Sequence, residues 1–476
     1  MTVHILNLKK NWLLIATGIA IAAIIVYRAI FIPFTHDESA TWLYLRHTNV
    51  WGCFFDPGCW NWGNNHWLNT VLLQFCANIG GESPVVLRFP NILAGWAYLI
   101  AAALLVTRYL KNDWVQLTGF LLITLHIYLL DFFSLARGYG MMTSGVMWGI
   151  YSLLRYAEKF ELKWLIILLI SLFLAILSNF TAVIPAVAIL GGWFLCVLGS
   201  KNYSILKTHG PIVFILTLST YLLLRLPLNV LSEKGELQWG AAGFNAMGKD
   251  LFSNLWAGAQ HFGSRDPLIL FLIVFGALLI SLGAYLSREK LKLQNPLSIL
   301  FLLLGIVLSV IIAMQIFTDA QAPVGRKSIF LIPFIFSTLA VSQSLLNRKT
   351  TSMIIAGAGL ILILSQFISI FKPHAKSCRE WYYDAKYPEL FLTIVPKGNE
   401  SDSVRLGTSW IFVPALTFYQ QTKSLPISGL EYQKELKVDT TMDYYYVDPS
   451  DTTGFHLTPF VLEKMIGPFC LYKNEE

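Results

Sequence analysis

The sequence predicts an α-helical polytopic membrane protein of about eleven transmembrane helices, followed by a small α/β domain on the outer face. Three observations predict it. The 476 residues are 55% hydrophobic and 13% charged, whereas soluble domains carry about a quarter charged residues. The apolar residues come in blocks instead of period-2 or period-3.6 patterns, and several blocks reach the roughly 20 residues a helix needs to cross a bilayer. After Phe371 the character changes: Lys372-Pro373 ends the last block, and Lys376, Arg379, Glu380, Asp384 and Lys386 follow. This balance excludes intrinsic disorder, a disulfide-dense secreted module and a nucleic-acid partner.

Spans are expected near 12–33, 86–107, 114–134, 138–156, 164–178, 181–199, 211–227, 267–287, 297–316, 329–346 and 352–371. Asp131 and Arg137 interrupt the third and fourth. With Lys9 and Lys10 inside, the alternation puts fourteen lysines and arginines in inner connections, among them Arg108, Lys163, Lys201, Lys290 and Arg348. This is the bias of the positive-inside rule. The net charge of +7 therefore reports topology and not an anionic polymer. The first span lacks a small-residue cleavage site and is read as an anchor, with Arg28 snorkelling to headgroups. Residues 1–371 are expected to form a transmembrane catalytic domain that includes outer loops 34–85 and 228–266. Residues 372–476 are expected to form an extracytoplasmic domain with strands at 403–406, 443–447 and 468–472 and helices at 410–420 and 458–466. No internal repeat is present, against a transporter built on repeated halves.

Six cysteines sort by compartment. Cys76 and Cys196 lie in apolar stretches as small hydrophobes. Cys53 and Cys59 bracket a Pro-Gly turn in the first outer loop, and Cys378 and Cys470 lie near the ends of the tail. An oxidising outer compartment makes both pairs candidate disulfides.

The most informative stretch is Phe34-Thr35-His36-Asp37-Glu38-Ser39, directly after the first span. Two carboxylates at a membrane surface are costly to desolvate. They either cap the helix that follows or supply a general base for an acceptor hydroxyl. The same loop continues Asn61-Trp62-Gly63-Asn64-Asn65-His66-Trp67-Leu68-Asn69, residue types suited to a sugar's hydroxyls and apolar face. His66 reads as a substrate contact, a structural histidine or a metal ligand, although no second ligand stands at suitable spacing. Basic residues then recur at outer span ends: Arg88, Arg137 beside Tyr139, and Arg326-Lys327. They run against the topology bias and match capture of a phosphate.

Taken in order, these stretches resemble the GT-C superfamily of membrane glycosyltransferases, in the branch of the dolichyl-phosphate-mannose–protein mannosyltransferases and bacterial aminoarabinose transferases. The resemblance covers roughly residues 10–345. Asp37-Glu38 is similar to that family's acidic motif after the first span. Asn65-His66-Trp67-Leu68 is similar to its His-Pro-Pro-Leu segment without the prolines. Leu87-Arg88-Phe89-Pro90-Asn91-Ile92-Leu93-Ala94-Gly95 is similar to a span start, and Ser134-Leu135-Ala136-Arg137-Gly138-Tyr139 to a Ser-x-x-Ala-Arg-x-Tyr pattern. Gly325-Arg326-Lys327 stands where Glu-Arg-Tyr is expected.

The resemblance implies a GT-C-like fold and a polyprenyl-phosphate monosaccharide donor entering from the bilayer. Asp37 and Glu38 are then the catalytic pair, with Asp37 as base in an inverting transfer to a glycan, lipid or protein acceptor. Arg137, Arg326 and Lys327 bind the donor phosphate, while Asn65, His66, Arg88 and Tyr139 contact substrate. No cofactor is required, with a divalent cation left open. The expected location is a bacterial inner membrane with the active face periplasmic. Competing readings are a lipid-linked-glycan flippase or transporter, a polysaccharide polymerase or ligase, and a non-catalytic assembly subunit. Ionisable residues at outer span ends, not at the membrane midplane, favour the transferase.

Overall fold

A computed structural model describes residues 11–46, 48, 50, 54–60, 63, 65–236, 240, 243–255, 266–286, 294–318, 320–343, 357, 359–361, 363–364, 377–395, 403–452 and 459–475. The chain forms two compact units. The first holds residues 1–27, 50–73 and 88–372, and the second holds 28–49, 74–87 and 373–476.

Helices stand at each expected span position as far as 331–342, while most of 352–371 lies outside the described residues. They are α1 (Trp12–Phe31), then, after the loop helices α2 (His36–Arg46) and α3 (Trp67–Gly80), α4 (Phe89–Tyr109), α5 (Asp113–Thr124), α6 (Ile127–Phe133), α7 (Gly138–Lys159), α8 (Leu162–Ser178), α9 (Val183–Gly199) and α10 (Tyr203–Glu233). Then follow α11 (Phe244–Leu255), α12 (Asp266–Leu286), α13 (Pro296–Phe317) and α14 (Leu331–Ser342). Among the described residues, five helices are long and apolar enough to cross a membrane, or six if one bent pair counts as a single span. That pair is α5 and α6, the expected third span, which bends by 66° at its break. His126 leaves the helical region there, with φ −123° and ψ 118°. The chain is an integral membrane protein.

The fourth span, α7, interleaves Tyr139, Thr143, Ser144, Tyr151 and Ser152 with apolar residues, and most of its surface is buried. It packs closely on α8 because it lacks side chains where they touch. A Cβ at Gly138 would lie 1.9 Å from the Ser178 carbonyl oxygen, and one at Gly145 2.6 Å from that of Ser171. Small residues allow such backbone approach between helices in lipid.

In the second unit the tail folds as expected in class. Helices α15 (Tyr387–Ile394) and α16 (Val413–Lys423) accompany β1 (Val404–Thr408), β2 (Ile427–Ser428), β3 (Tyr444–Val447), β4 (Phe460–Ile466) and β5 (Phe469–Asn474). The sheet order is β2-β1-β3-β5-β4, with β1 parallel to both neighbours and β5 antiparallel to β3 and β4. The expected helix over 458–466 is instead strand β4. Ile466 pairs with Phe469 across Gly467-Pro468, and Gly467 has φ +64°. A two-residue turn with a positive-φ glycine closes a hairpin, which overrides the apparent helical pattern of this short segment. Side chains alternate across the sheet. Tyr445 and Val447 join Met442, Phe460 and Cys470 in one core, while Tyr446 meets Phe412 on the other face at 4.6 Å.

Two expectations are corrected here. Cys378 and Cys470 are both thiols and form no disulfide. Cys470 sits in β5 opposite Val447 and Met465, with its Sγ 3.4 Å from the Met465 sulfur, so it packs as a small hydrophobe. Arg28 does not snorkel. It is 4% exposed, and its Nη2 donates to the Ser377 carbonyl at 3.1 Å. Cys59 is disulfide-bonded, and its expected partner Cys53 lies outside the described residues.

Thiol labelling of the denatured, unreduced protein should therefore modify the four cysteines 76, 196, 378 and 470. Reduction should expose the remaining two. Six labelled before reduction would remove the Cys59 disulfide, and only two would restore the tail pair.

Candidate active site

The acidic segment belongs to the second unit. Helix α2 begins because Thr35 and Glu38 satisfy its first turn. The Thr35 carbonyl accepts from the Ser39 N–H at 2.8 Å, and Glu38 Oε2 accepts from the Thr35 N–H and hydroxyl, each at 2.9 Å. Thr-x-x-Glu is the spacing at which a carboxylate reaches back to the residue before the helix. The capping alternative thus holds for Glu38, which is fully buried. Asp37 is 6% exposed, and the Thr41 hydroxyl donates to its main-chain carbonyl at 2.9 Å.

A third carboxylate meets the same turn from the tail. Asp384 Oδ2 accepts from the His36 N–H at 2.7 Å, and its Oδ1 accepts from the Tyr387 hydroxyl. Burial pushes the Asp384 carboxyl well above the usual range. The two hydrogen bonds oppose that shift, and the Glu38 and Asp37 charges add to it. Trp410 stands edge-on to His36 at 5.7 Å and to Tyr432 at 6.0 Å. Burial and the Asp37 charge raise the Tyr432 phenol, so this aromatic lies in the field of the candidate base.

The first unit assembles three of the sequence motifs through buried asparagines. Asn69 donates to the Ala136 carbonyl at 3.0 Å, and Asn91 donates to Asn69 Oδ1 at 2.7 Å. All three residues are buried. The Asn-His-Trp-Leu-Asn, Arg-Phe-Pro-Asn and Ala-Arg-Gly-Tyr stretches are therefore hydrogen-bonded to one another next to Arg137. Buried amides left without partners would cost about 1–3 kcal/mol each, so the chain fixes register as well as satisfying polarity. Gly138 lets the assembly close, because a Cβ there would also lie 2.9 Å from His66 Cβ.

His66 is the centre of this group. Asn179 Oδ1 accepts from the Thr181 N–H and hydroxyl at 2.9 and 2.7 Å. Its amide nitrogen is thereby turned to His66 Nδ1, 3.1 Å away. A backbone hydrogen bond with Ser178 also engages the ring and favours its protonated form. Burial lowers His66 well below its ordinary 6.5, and the charges of Arg137, Arg326 and Lys327 lower it further. The Tyr139 ring lies 4.8 Å from His66 and 5.7 Å from the Arg326 guanidinium carbon. Burial also lowers Lys327, with Arg326 adding and Glu236 opposing. Arg137 is fully buried in the extended residue before α7.

Of the expected site residues, His66, Tyr139, Arg137, Arg326 and Lys327 thus form one electrostatic group. Arg88, fully buried, precedes α4 and its carbonyl accepts from the Asn91 N–H at 3.0 Å. Asn65 takes internal partners, donating to the Cys59 carbonyl at 3.4 Å and accepting from the Thr70 hydroxyl at 3.3 Å. Sequence reasoning missed Asp384, Asn179 and Asp250. The last accepts from the Gly325 N–H and so anchors the turn that carries Arg326 and Lys327. Only the Asn-x-Thr spacing marked Asn179, and Asp384 stood among ordinary tail charges. Among the described residues no group of three or more His, Cys, Asp or Glu side chains is arranged to hold a metal ion.

Comparison with known proteins bears on these features. Residues 68–227 match the family model described as dolichyl-phosphate-mannose-protein mannosyltransferase, about a third of the chain. Asp37 and Glu38 precede the matched stretch. No curated protein matches by sequence. Among solved structures, ArnT from Cupriavidus metallidurans in the apo state aligns with TM-score 0.51 and 9% identity, over 96% of this chain and 97% of that one. The same protein bound to undecaprenyl phosphate aligns with TM-score 0.49 and 10% identity over the same shares. The Archaeoglobus fulgidus oligosaccharyltransferase, in complex with Zn and sulfate, aligns with TM-score 0.46 and 14% identity, over 90% of this chain and 67% of that one. In fold, then, this chain is similar to ArnT, and over residues 68–227 it matches a family model of membrane glycosyltransferases.

Proposed function

We propose that the protein moves a monosaccharide from a polyprenyl-phosphate donor to an acceptor hydroxyl on the outer face of a bacterial inner membrane. One observation carries this reading: buried His66 and the Arg326 guanidinium meet the same Tyr139 ring, with the Arg137 and Lys327 charges also bearing on His66. Positive charge concentrated around a protonatable ring that is kept neutral matches a ligand that brings its own negative charge. A phosphate does so, and guanidinium groups meet it bidentately. The undecaprenyl phosphate bound by ArnT accords with that donor class.

The reaction is a single displacement. The acceptor oxygen attacks the anomeric carbon and the carbon–oxygen bond to phosphate breaks. The polyprenyl phosphate leaves with the electron pair, and Asp37 takes the acceptor's proton. The configuration inverts. Arg137, Arg326 and Lys327 stabilise charge as it grows on the leaving phosphate, where a low dielectric strengthens each contact. His66 contacts the donor sugar, with Tyr139, Arg88 and Asn65 shaping its surroundings. Glu38 positions Asp37 by capping α2. The cations in this scheme are side chains, so no added cofactor is required, and transfer should persist in a chelator.

Asp37→Asn should reduce transfer of a radiolabelled polyprenyl-phosphate sugar by about 10²–10⁴-fold while expression and membrane insertion stay normal. Near-normal turnover would exclude Asp37 as base. In the ligand-free protein the His66 ring should remain neutral at about pH 6, because the folded protein binds its proton more weakly than an ordinary histidine. Its contribution to stability is then present above the ordinary 6.5 and is lost as pH falls below it. Added polyprenyl phosphate should raise its protonation, as the anion offsets the neighbouring cations. Ring nitrogen shifts report both, and titration near 6.5 without ligand would remove His66 from the cationic group.

A further inference from the structure

We infer that the C-terminal α/β domain is a clamp for the catalytic segment, and that Asp384 is a positioning residue for Asp37. The inference rests on the function proposed for Asp37, and it assigns the tail a part in that reaction. Every observation lies within the second compact unit, where 28–49 and 373–476 pack together.

The segment that carries the acid pair is held by tail residues along its whole length. At its start Arg28 donates to the Ser377 carbonyl at 3.1 Å. The Phe34 N–H donates to the Tyr419 hydroxyl at 2.7 Å, and the Phe34 ring lies 4.2 Å from Phe418. At the first turn of α2 the His36 N–H meets Asp384, and His36 Nδ1 lies 2.7 Å from the Ile411 carbonyl oxygen. Further along, Trp42 stands edge-on to Phe418 at 4.9 Å, and Arg46 donates to Gln421 Oε1 at 2.7 Å. Polar and aromatic contacts thus alternate from Arg28 to Arg46.

Asp384 stands at the first turn of α2. It accepts from the N–H of the residue immediately before Asp37, so its position sets the direction of the turn. The carboxylate is 1% exposed, and Tyr387 fixes its other oxygen. An N-terminal N–H of a helix needs an acceptor, and a carboxyl oxygen supplies one. Glu38 already supplies one such acceptor from within the helix. Asp384 supplies a second from the tail, at the cost of burying a carboxyl beside Asp37 and Glu38. Packing alone does not call for that, since an apolar residue would fill the same space without withdrawing a polar group from water.

The test measures amide exchange and transfer on the full-length protein in detergent. Asp384→Ala should speed exchange of the amides in 36–39 by about 10–100-fold, leave β3 and β5 protected, and lower kcat by at least about tenfold with donor KM within about twofold. Asp384→Asn keeps an acceptor oxygen and should restore protection and kcat together. Unchanged exchange at 36–39 with an intact sheet overturns the clamp. A kcat left intact, or a loss expressed only in donor KM, overturns the positioning role. If Asp384→Ala unfolds the sheet, Tyr387→Phe decides. Faster exchange at 36–39 over a protected sheet supports the clamp, and its absence overturns it. If the unsubstituted protein transfers no sugar, the proposed function fails, while the exchange result still decides the clamp.

Discussion

A polar group withdrawn from water must be given its partner, and the N-terminus of α2 is where this requirement shapes the protein most. The helix starts immediately after an apolar span, so its first N–H groups open into a buried setting. Glu38 serves Thr35 from within the helix, and Asp384 serves His36 from a position nearly 350 residues later in the chain. Each carboxyl oxygen is thus placed by a backbone N–H that would otherwise go without an acceptor. Within the acid pair, Glu38 holds the turn through Thr35, and the main-chain carbonyl of Asp37 accepts from the Thr41 hydroxyl.

The same requirement orders the first unit. Asn69, Asn91 and the Ala136 carbonyl form a buried chain, and Asn179 brings its amide nitrogen to His66 Nδ1. These bonds decide which atoms the site presents. Burial and three neighbouring cations keep the ring neutral, so it remains a donor without adding to the positive field. Asp250 does comparable work for Arg326 and Lys327 by holding the Gly325 N–H.

Much of this could be read from particular residues. The apolar blocks gave the spans because only a helix satisfies its own backbone in lipid. Arg137 and Arg326 stood out because outer-face cations run against topology. The order of the motifs was legible, but their mutual hydrogen bonds were not, since nothing in Asn69 or Asn91 alone says that each needs the other. The segment 458–466 misled for a related reason. Its apolar spacing suits a helix, and its strand form depends on β5 lying alongside after the Gly467-Pro468 turn. Cys378 and Cys470 looked like a pair because both stand in the tail, whereas the sheet sets Cys470 against Met465.

The sequence by itself determined that the chain lives in a membrane, that its few charges gather at the ends of its apolar blocks, and that an acidic pair follows the first span. Composition and order suffice for these, because hydrophobic transfer and charge burial act residue by residue. Only the tertiary structure decided that Asn179 meets His66, that Asp384 meets the first turn of α2, and that the tail grips α2. Each of those depends on a hydrogen-bond partner that lies far along the chain, and such pairings exist only once the chain has folded.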